Sequence, residues 1–153
     1  YARPAATALA KISDPNGGTA YHRMGDLGYR DGQGRIWFCG RKAHRVECAM
    51  GTLFTIPCEA VFNTHPQVFR TALVGVKVKG SQVPLICVEL EEGTGRSEHA
   101  RILKELRDLA GTTAVTRGIE RFLIHPAFPV DIRHNAKIFR EKLALWAQRR
   151  VRA

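Results

Sequence analysis

The placement of glycines between residues 25 and 41 constrains this chain more than any other feature. Gly25-Asp26-Leu27-Gly28 leads into an apolar run, Asp31-Gly32-Gln33-Gly34 supplies a reversal, and Arg35-Ile36-Trp37-Phe38-Cys39 returns to Gly40-Arg41. Residues that tolerate positive φ are concentrated at the reversal, so Ala20 to Tyr29 and Arg35 to Cys39 read as two strands folded back as a β-hairpin. Such a hairpin can present one carboxylate, Asp26, and one guanidinium, Arg41, to the same ligand.

The chain has 153 residues and is 44% hydrophobic, which suits one domain's length and suffices to bury a core. It begins on Tyr1 without a charged stretch and apolar core of a signal peptide, and it reads as part of something longer. The apolar run from Phe69 to Val78 is broken by Arg70 and Lys77, so no membrane span is expected and a soluble, cytoplasmic protein is. Cys39, Cys48, Cys58 and Cys87 lack the close pairing of zinc sites and read as buried thiols of a reducing compartment. A net charge of +10 raises the possibility of nucleic-acid binding. Its distribution argues against that: Arg133, Lys137, Arg140, Lys142, Arg149, Arg150 and Arg152 crowd the tail, as they do on a solvated helix face.

Along the chain, Tyr1 to Gly18 has little periodicity and reads as a surface loop or tight turn around Ser13-Asp14-Pro15-Asn16-Gly17-Gly18. After Gly40-Arg41 the basic stretch Lys42-Ala43-His44-Arg45 marks a domain boundary or hinge. Thr55, with Pro57 in the first turn, starts a helix to about Asn63, stopped near His65-Pro66. Val68 to Val78 and Val83 to Glu91 form an antiparallel hairpin around Lys79-Gly80-Ser81-Gln82. Ser97 is placed to cap a helix with Ile102, Leu103, Leu106, Leu109 and Ala110 on one face and Gly111 at its end. A strand from Ile119 to Ile124 and a basic amphipathic helix from Ile138 to Arg150 complete the series. The fold class expected is α+β: a short hairpin segment, then a small domain whose short mixed sheet is covered by helices.

These elements, together with Gly25-Asp26-Leu27-Gly28, Gly40-Arg41, His65-Pro66 ahead of Ala72-Leu73-Val74-Gly75-Val76, and Pro129 followed by Lys137-Ile138, occur in the same order as in adenylate-forming ligases. That family comprises the acyl-CoA synthetases, luciferases and peptide-synthetase adenylation enzymes, and the chain resembles its C-terminal part. The resemblance implies that residues 1–40 close a large AMP-binding domain and residues 41–153 form a small mobile lid, the chain alone being inactive without its N-terminal domain. It implies that Asp26 accepts hydrogen bonds from the ribose hydroxyls of ATP, that Arg41 reaches the ribose and nearby phosphate, and that Lys137 bridges the reacting carboxylate and the α-phosphate. Mg²⁺ would accompany ATP on ligands outside this chain, and no metal site is expected within it.

The chain departs from the family pattern in three places. Ala43 stands where the hinge carries Asp or Lys, Arg133-His134-Asn135-Ala136-Lys137 replaces an ending in Ser-Gly-Lys, and Ala49-Met50-Gly51-Thr52 keeps only Gly51 of the lid's glycine loop. These changes weigh against ordinary CoA transfer. The stretch Arg133 to Leu143, ending in Trp146-Ala147, looks most like the members that close long-chain β-hydroxy acids to β-lactones in bacterial olefin biosynthesis. Fatty acyl-CoA ligase is the alternative within the family; a basic module for nucleic acid or an acidic partner is the alternative outside it, and docking of the tail helix onto another pathway enzyme or an anionic membrane surface is compatible with the family reading.

Plainer roles exist for each residue. Asp26 could be a turn aspartate bonding its own backbone, Arg41 a surface arginine, and Lys137 a lysine in the first turn of a helix. His134 reads as a loop histidine rather than a general base, and His22, His44 and His65 lack partners at metal-ligand spacing.

Overall fold

The computed structural model describes residues 3–18, 21–133 and 137–151. The chain divides into two compact units, Tyr1–Ala43 and His44–Ala153.

The first unit opens on α1, Pro4–Ala10, where the sequence pattern pointed to a loop. The Ala-rich composition favours a helix, and Pro4 suits its first turn because no intrahelical N–H is needed there. No residue of α1 is buried, so the segment needs no apolar stripe and shows no period. Strand β1, Lys11–Ile12, pairs antiparallel with β2, Tyr21–His22. The turn between them is nucleated by Asp14, whose carboxylate accepts the Asn16 N–H at 2.9 Å while its carbonyl accepts that of Gly17. The predicted hairpin follows as β3, Asp26–Arg30, and β4, Ile36–Arg41.

In the second unit, β5, Val46–Cys48, and β6, Gly51–Leu53, make a small hairpin that the sequence pattern did not resolve. Helix α2 spans Thr55–Phe62; Phe54 is its N-cap and no side chain caps it, so Thr55 lies inside the helix rather than before it. Strands β7, Val68–Val78, and β8, Ser81–Leu90, pair antiparallel, and β9, Phe122–Ile124, joins β8 in parallel to give a mixed sheet ordered β7-β8-β9. The β7–β8 turn is tighter than the four residues expected. Lys79 and Gly80 both have positive φ, 48° and 82°, which matches the twist of a two-residue hairpin and returns Ser81 and Gln82 to the ladder.

Helix α3, His99–Ala110, begins after a short 3-10 turn, Arg96–Glu98, and is not capped by Ser97; Glu98 instead turns back to accept the Gly95 N–H. Gly111 ends α3 where the pattern placed it, at a right-handed φ of −72°. Two-residue strands β10, Val130–Asp131, and β11, Lys137–Ile138, pair antiparallel before α4, Arg140–Val151. Lys137 therefore stands in a strand and not in the first turn of a helix.

Alternation along the strands divides the core in two. Leu73, Ile86 and Val88 pack with Phe62 of α2 and with Ile102 and Leu106 of α3. Ala72, Val74, Val76, Leu85 and Cys87 pack with Phe128 and with Leu143 and Ala147 of α4. Helices thus cover both faces of the sheet, and the architecture is α+β as the pattern implied. All four cysteines are free, with Cys39, Cys58 and Cys87 buried; burial pushes the thiols of Cys58 and Cys87 up to about 11 and about 12, so neither is a ready nucleophile. No helix among the described residues is long and apolar enough to cross a membrane.

Candidate functional site

Asp26 and Arg41 are brought together by the register of β3 and β4. Leu27 opposes Gly40 but Gly28 opposes Phe38, so Cys39 is an extra residue, a bulge, in β4. Without it Asp26 would oppose Gly40 and Arg41 would fall on the other face of the ribbon. With it, Asp26 and Arg41 are directly opposite, and Arg41 Nη1 lies 3.0 Å from Asp26 Oδ1 while donating to the Met24 carbonyl at 2.6 Å. The glycines around the pair have separate uses. Gly25 takes φ +76° at the strand entry, and a Cβ on Gly28 would stand 2.7 Å from the Trp37 carbonyl oxygen.

The turn-aspartate role considered for Asp26 is performed by Asp31. Its carboxylate accepts the N–H groups of Gln33 and Arg35, the Arg35 guanidinium at 2.7 Å and the Trp37 indole at 2.7 Å. These bonds, the Trp37 indole first and Arg35 next, hold the Asp31 carboxyl at about 2, below its ordinary 3.8. A carboxyl depressed in the fold stabilises the hairpin fully above the ordinary value and loses that effect as pH falls through the folded one. The Trp37 indole N–H resonance is accordingly expected to stay fixed from pH 7 to about 4 and to move in a transition centred near pH 2; a transition centred at the ordinary aspartate value would refute this.

Among the described residues only Arg41 forms an ion pair with Asp26, so most acceptor positions of its carboxylate remain open. The pair is partly solvated and contributes only about 0–1 kcal/mol to stability. Ala43 lies in a 3-10 turn, Lys42–His44, and is the last residue of the first unit.

Lys137 belongs to the second unit. It is exposed on β11 opposite Asp131, and no described residue forms an ion pair with it. His134 lies outside the described residues. Three residues after Lys137, Arg140 opens α4 and makes a bidentate pair with Glu59 of α2, Nη1 to Oε1 at 2.5 Å and Nη2 to Oε2 at 2.8 Å. Glu59 is 5% exposed and also accepts the Leu73 N–H at 2.7 Å. Burial pushes its carboxyl up, and the Arg140 guanidinium and the Leu73 N–H oppose that. A second inward carboxylate, Glu89, holds Arg70 at 2.6 Å and the Phe128 N–H at 3.0 Å. The sequence reading passed over both acids; the available signal for Glu59 was a charge one position after Cys58 on the buried side of α2.

His65, which closes α2, accepts the Gln67 N–H at Nδ1 and bonds Glu105 at 2.8 Å through Nε2, an arrangement that fixes its tautomer and makes it a tie between loop and helix. The altered loop Ala49-Met50-Gly51-Thr52 turns the β5–β6 hairpin, and Met50 reaches over Gly118, where a Cβ would lie 2.2 Å from its sulfur. Among the described residues no three His, Cys, Asp or Glu side chains converge as a metal site requires.

This architecture is that of the C-terminal part of adenylate-forming enzymes. The anthranilate CoA ligase AuaEII, solved with anthranoyl-AMP, superposes with a TM-score of 0.74 at 20% identity over 89% of this chain and 26% of that one. The ATP-bound MatB from Rhodopseudomonas palustris superposes at 0.72 and 18% identity over 96% of this chain and 27% of that one. No protein-family model matches the chain. The olefin β-lactone synthetase of Xanthomonas campestris pv. campestris is 55% identical over 155 residues, which is 99% of this chain and 28% of that protein. The chain belongs to the adenylate-forming enzymes, as their C-terminal region. It spans about a quarter of the length of the curated olefin β-lactone synthetases it matches.

Proposed function

We propose that this chain is the C-terminal region of an ATP-dependent ligase that activates a long-chain β-hydroxy acid as its acyl-adenylate and closes it to a β-lactone. The observation that carries this reading is the 55% identity over 99% of the chain to an olefin β-lactone synthetase. Residues 1–40 then belong to the large AMP-binding domain, and residues 41–153 to a mobile lid. The chemistry of the site residues fits ATP. An ionised carboxylate such as Asp26 offers the several acceptor positions that two ribose hydroxyls need, and Arg41 beside it supplies donors for a ribose oxygen or phosphate. ATP brings the leaving pyrophosphate, and the Mg²⁺ that would accompany it would be held by groups outside this chain.

In the first step the substrate carboxylate attacks the α-phosphorus of ATP, and the bond to pyrophosphate breaks. Lys137, as an exposed ammonium, is suited to the negative charge that builds between the carboxylate and the α-phosphate. In the second step the β-hydroxyl oxygen bonds to the activated carbonyl carbon, its proton passes to a base, and the carbonyl–phosphate bond breaks to release AMP. Holding both reacting groups in one molecule favours closure, against the strain of a four-membered ring.

The test is the product formed by the complete enzyme from ATP and a long-chain β-hydroxy acid, with and without CoA. Lactone and AMP are expected in the absence of CoA. A strict CoA requirement with acyl-CoA as product would replace this reading by fatty acyl-CoA ligase.

A further inference from the structure

Strand β7 is an edge of the sheet, and its outward N–H groups need partners from elsewhere. Two of them are met from helical side chains. The Leu73 N–H goes to Glu59, which is locked in turn to Arg140 at the start of α4. The Lys77 N–H goes to Gln148 at 2.6 Å, and the Gln148 amide returns a bond to the Lys77 carbonyl at 3.0 Å. The four steps of strand from Leu73 to Lys77 cover about 13 Å, and the eight steps of helix from Arg140 to Gln148 rise about 12 Å. Helix α4 is therefore clamped along the edge of β7 at two points of matching spacing.

The two clamps differ in what lies beside them. The Gln148 clamp sits near the end of the helix. The Arg140 clamp sits at the exit of a strap that begins at Phe128, buried and tied by its N–H to Glu89, and that runs through the paired strands β10 and β11. The Phe139 N–H closes the strap on the Pro129 carbonyl at 2.9 Å. Lys137 is exposed within this strap, two residues before Phe139 and three before Arg140.

We infer that the Glu59–Arg140 pair is a positioning device for Lys137, fixing the strap against α2 and β7 so that the ammonium is presented from a fixed base. This rests on the proposed role of Lys137 in adenylate formation. A planar fork held by two bonds sets orientation as well as distance, which a single lysine ammonium in its place would not do. Displacement of a reacting group by about 1 Å is enough to cost on the order of a hundredfold in rate.

The experiment uses Arg140→Lys, which keeps the charge beside Glu59, with Gln148→Ala as the control for docking of α4. By hydrogen exchange on the 153-residue chain, Arg140→Lys is expected to speed exchange at the Phe139 and Leu73 amides at least tenfold, leaving the Val74 and Ile86 amides within about twofold. In the complete enzyme it is expected to lower kcat for ATP–pyrophosphate exchange roughly ten- to hundredfold, with KM for ATP within about threefold. Gln148→Ala is expected to leave that rate within about twofold.

Arg140→Lys added to Lys137→Ala should cost nothing further, because a device that acts through Lys137 has no effect without it. An additive loss in that double variant, an equal loss with Gln148→Ala, or an unchanged rate with Arg140→Lys alone would overturn the inference. A wild-type rate in Lys137→Ala by itself would overturn the underlying role of Lys137 instead, so the two failures are distinguishable.

Discussion

Replacing Lys137 by alanine in the complete enzyme is expected to slow acyl-adenylate formation, read as pyrophosphate release, on the order of 10²- to 10³-fold, with ATP binding retained. The size follows from the kind of interaction removed: a positive charge aimed at charge that develops only in the transition state. Binding and rate should separate because the ribose-facing pair proposed for ATP, Asp26 and Arg41, lies on the β3–β4 hairpin, whereas Lys137 lies on the β10–β11 strap. Lys137 is exposed and no described residue pairs with it in an ion pair, so its removal leaves no buried partner behind and should not disturb folding. An unchanged rate of pyrophosphate release would remove Lys137 from the mechanism.

Glu59→Ala should lower the stability of the second unit by about 3–5 kcal/mol. Two groups lose their partner together. Arg140, with 14% of its side chain exposed, becomes a nearly buried unpaired cation, and the Leu73 N–H is left open at the sheet edge. A void also opens beside Phe62 and Leu73, both of which are fully buried. In urea the midpoint should fall by about 2 M at a typical slope for a domain of this size. A loss below about 1 kcal/mol would mean that Arg140 swings to solvent on losing its partner, and that the pair is not held by its surroundings.

Much of the second unit was legible because its strands and its long α3 helix bury one face or two against a core. Periodicity records that burial directly: Ile102, Leu106 and Ala110 recur at helical spacing, and β7 and β8 alternate between the two clusters. Where no face is buried the signal vanishes, and α1 passed for a loop. Short elements were also missed or misplaced. A two-residue strand such as β11 has no period to detect, and its pairing with β10 depends on residues six or more positions away. The cap assigned to Ser97 failed because Glu98, one residue on, reaches back to Gly95 and sets the turn instead.

The ordered motifs around Asp26, Arg41 and Lys137 were visible in the primary structure, since glycines that permit φ +76° at Gly25 or the close approach at Gly28 leave a mark in the sequence itself. The chain's membership in the adenylate-forming enzymes and its α+β class were equally readable there, because they rest on the order of elements and on local conformational preference. Tertiary structure alone decided which residues meet. The bulge at Cys39 sets Arg41 opposite Asp26, and the edge of β7 calls Glu59, Arg140 and Gln148 to its unpaired amides. Glu59 and Arg140 are 81 positions apart in the chain, and no local pattern encodes a contact that exists only once two helices have closed on one strand.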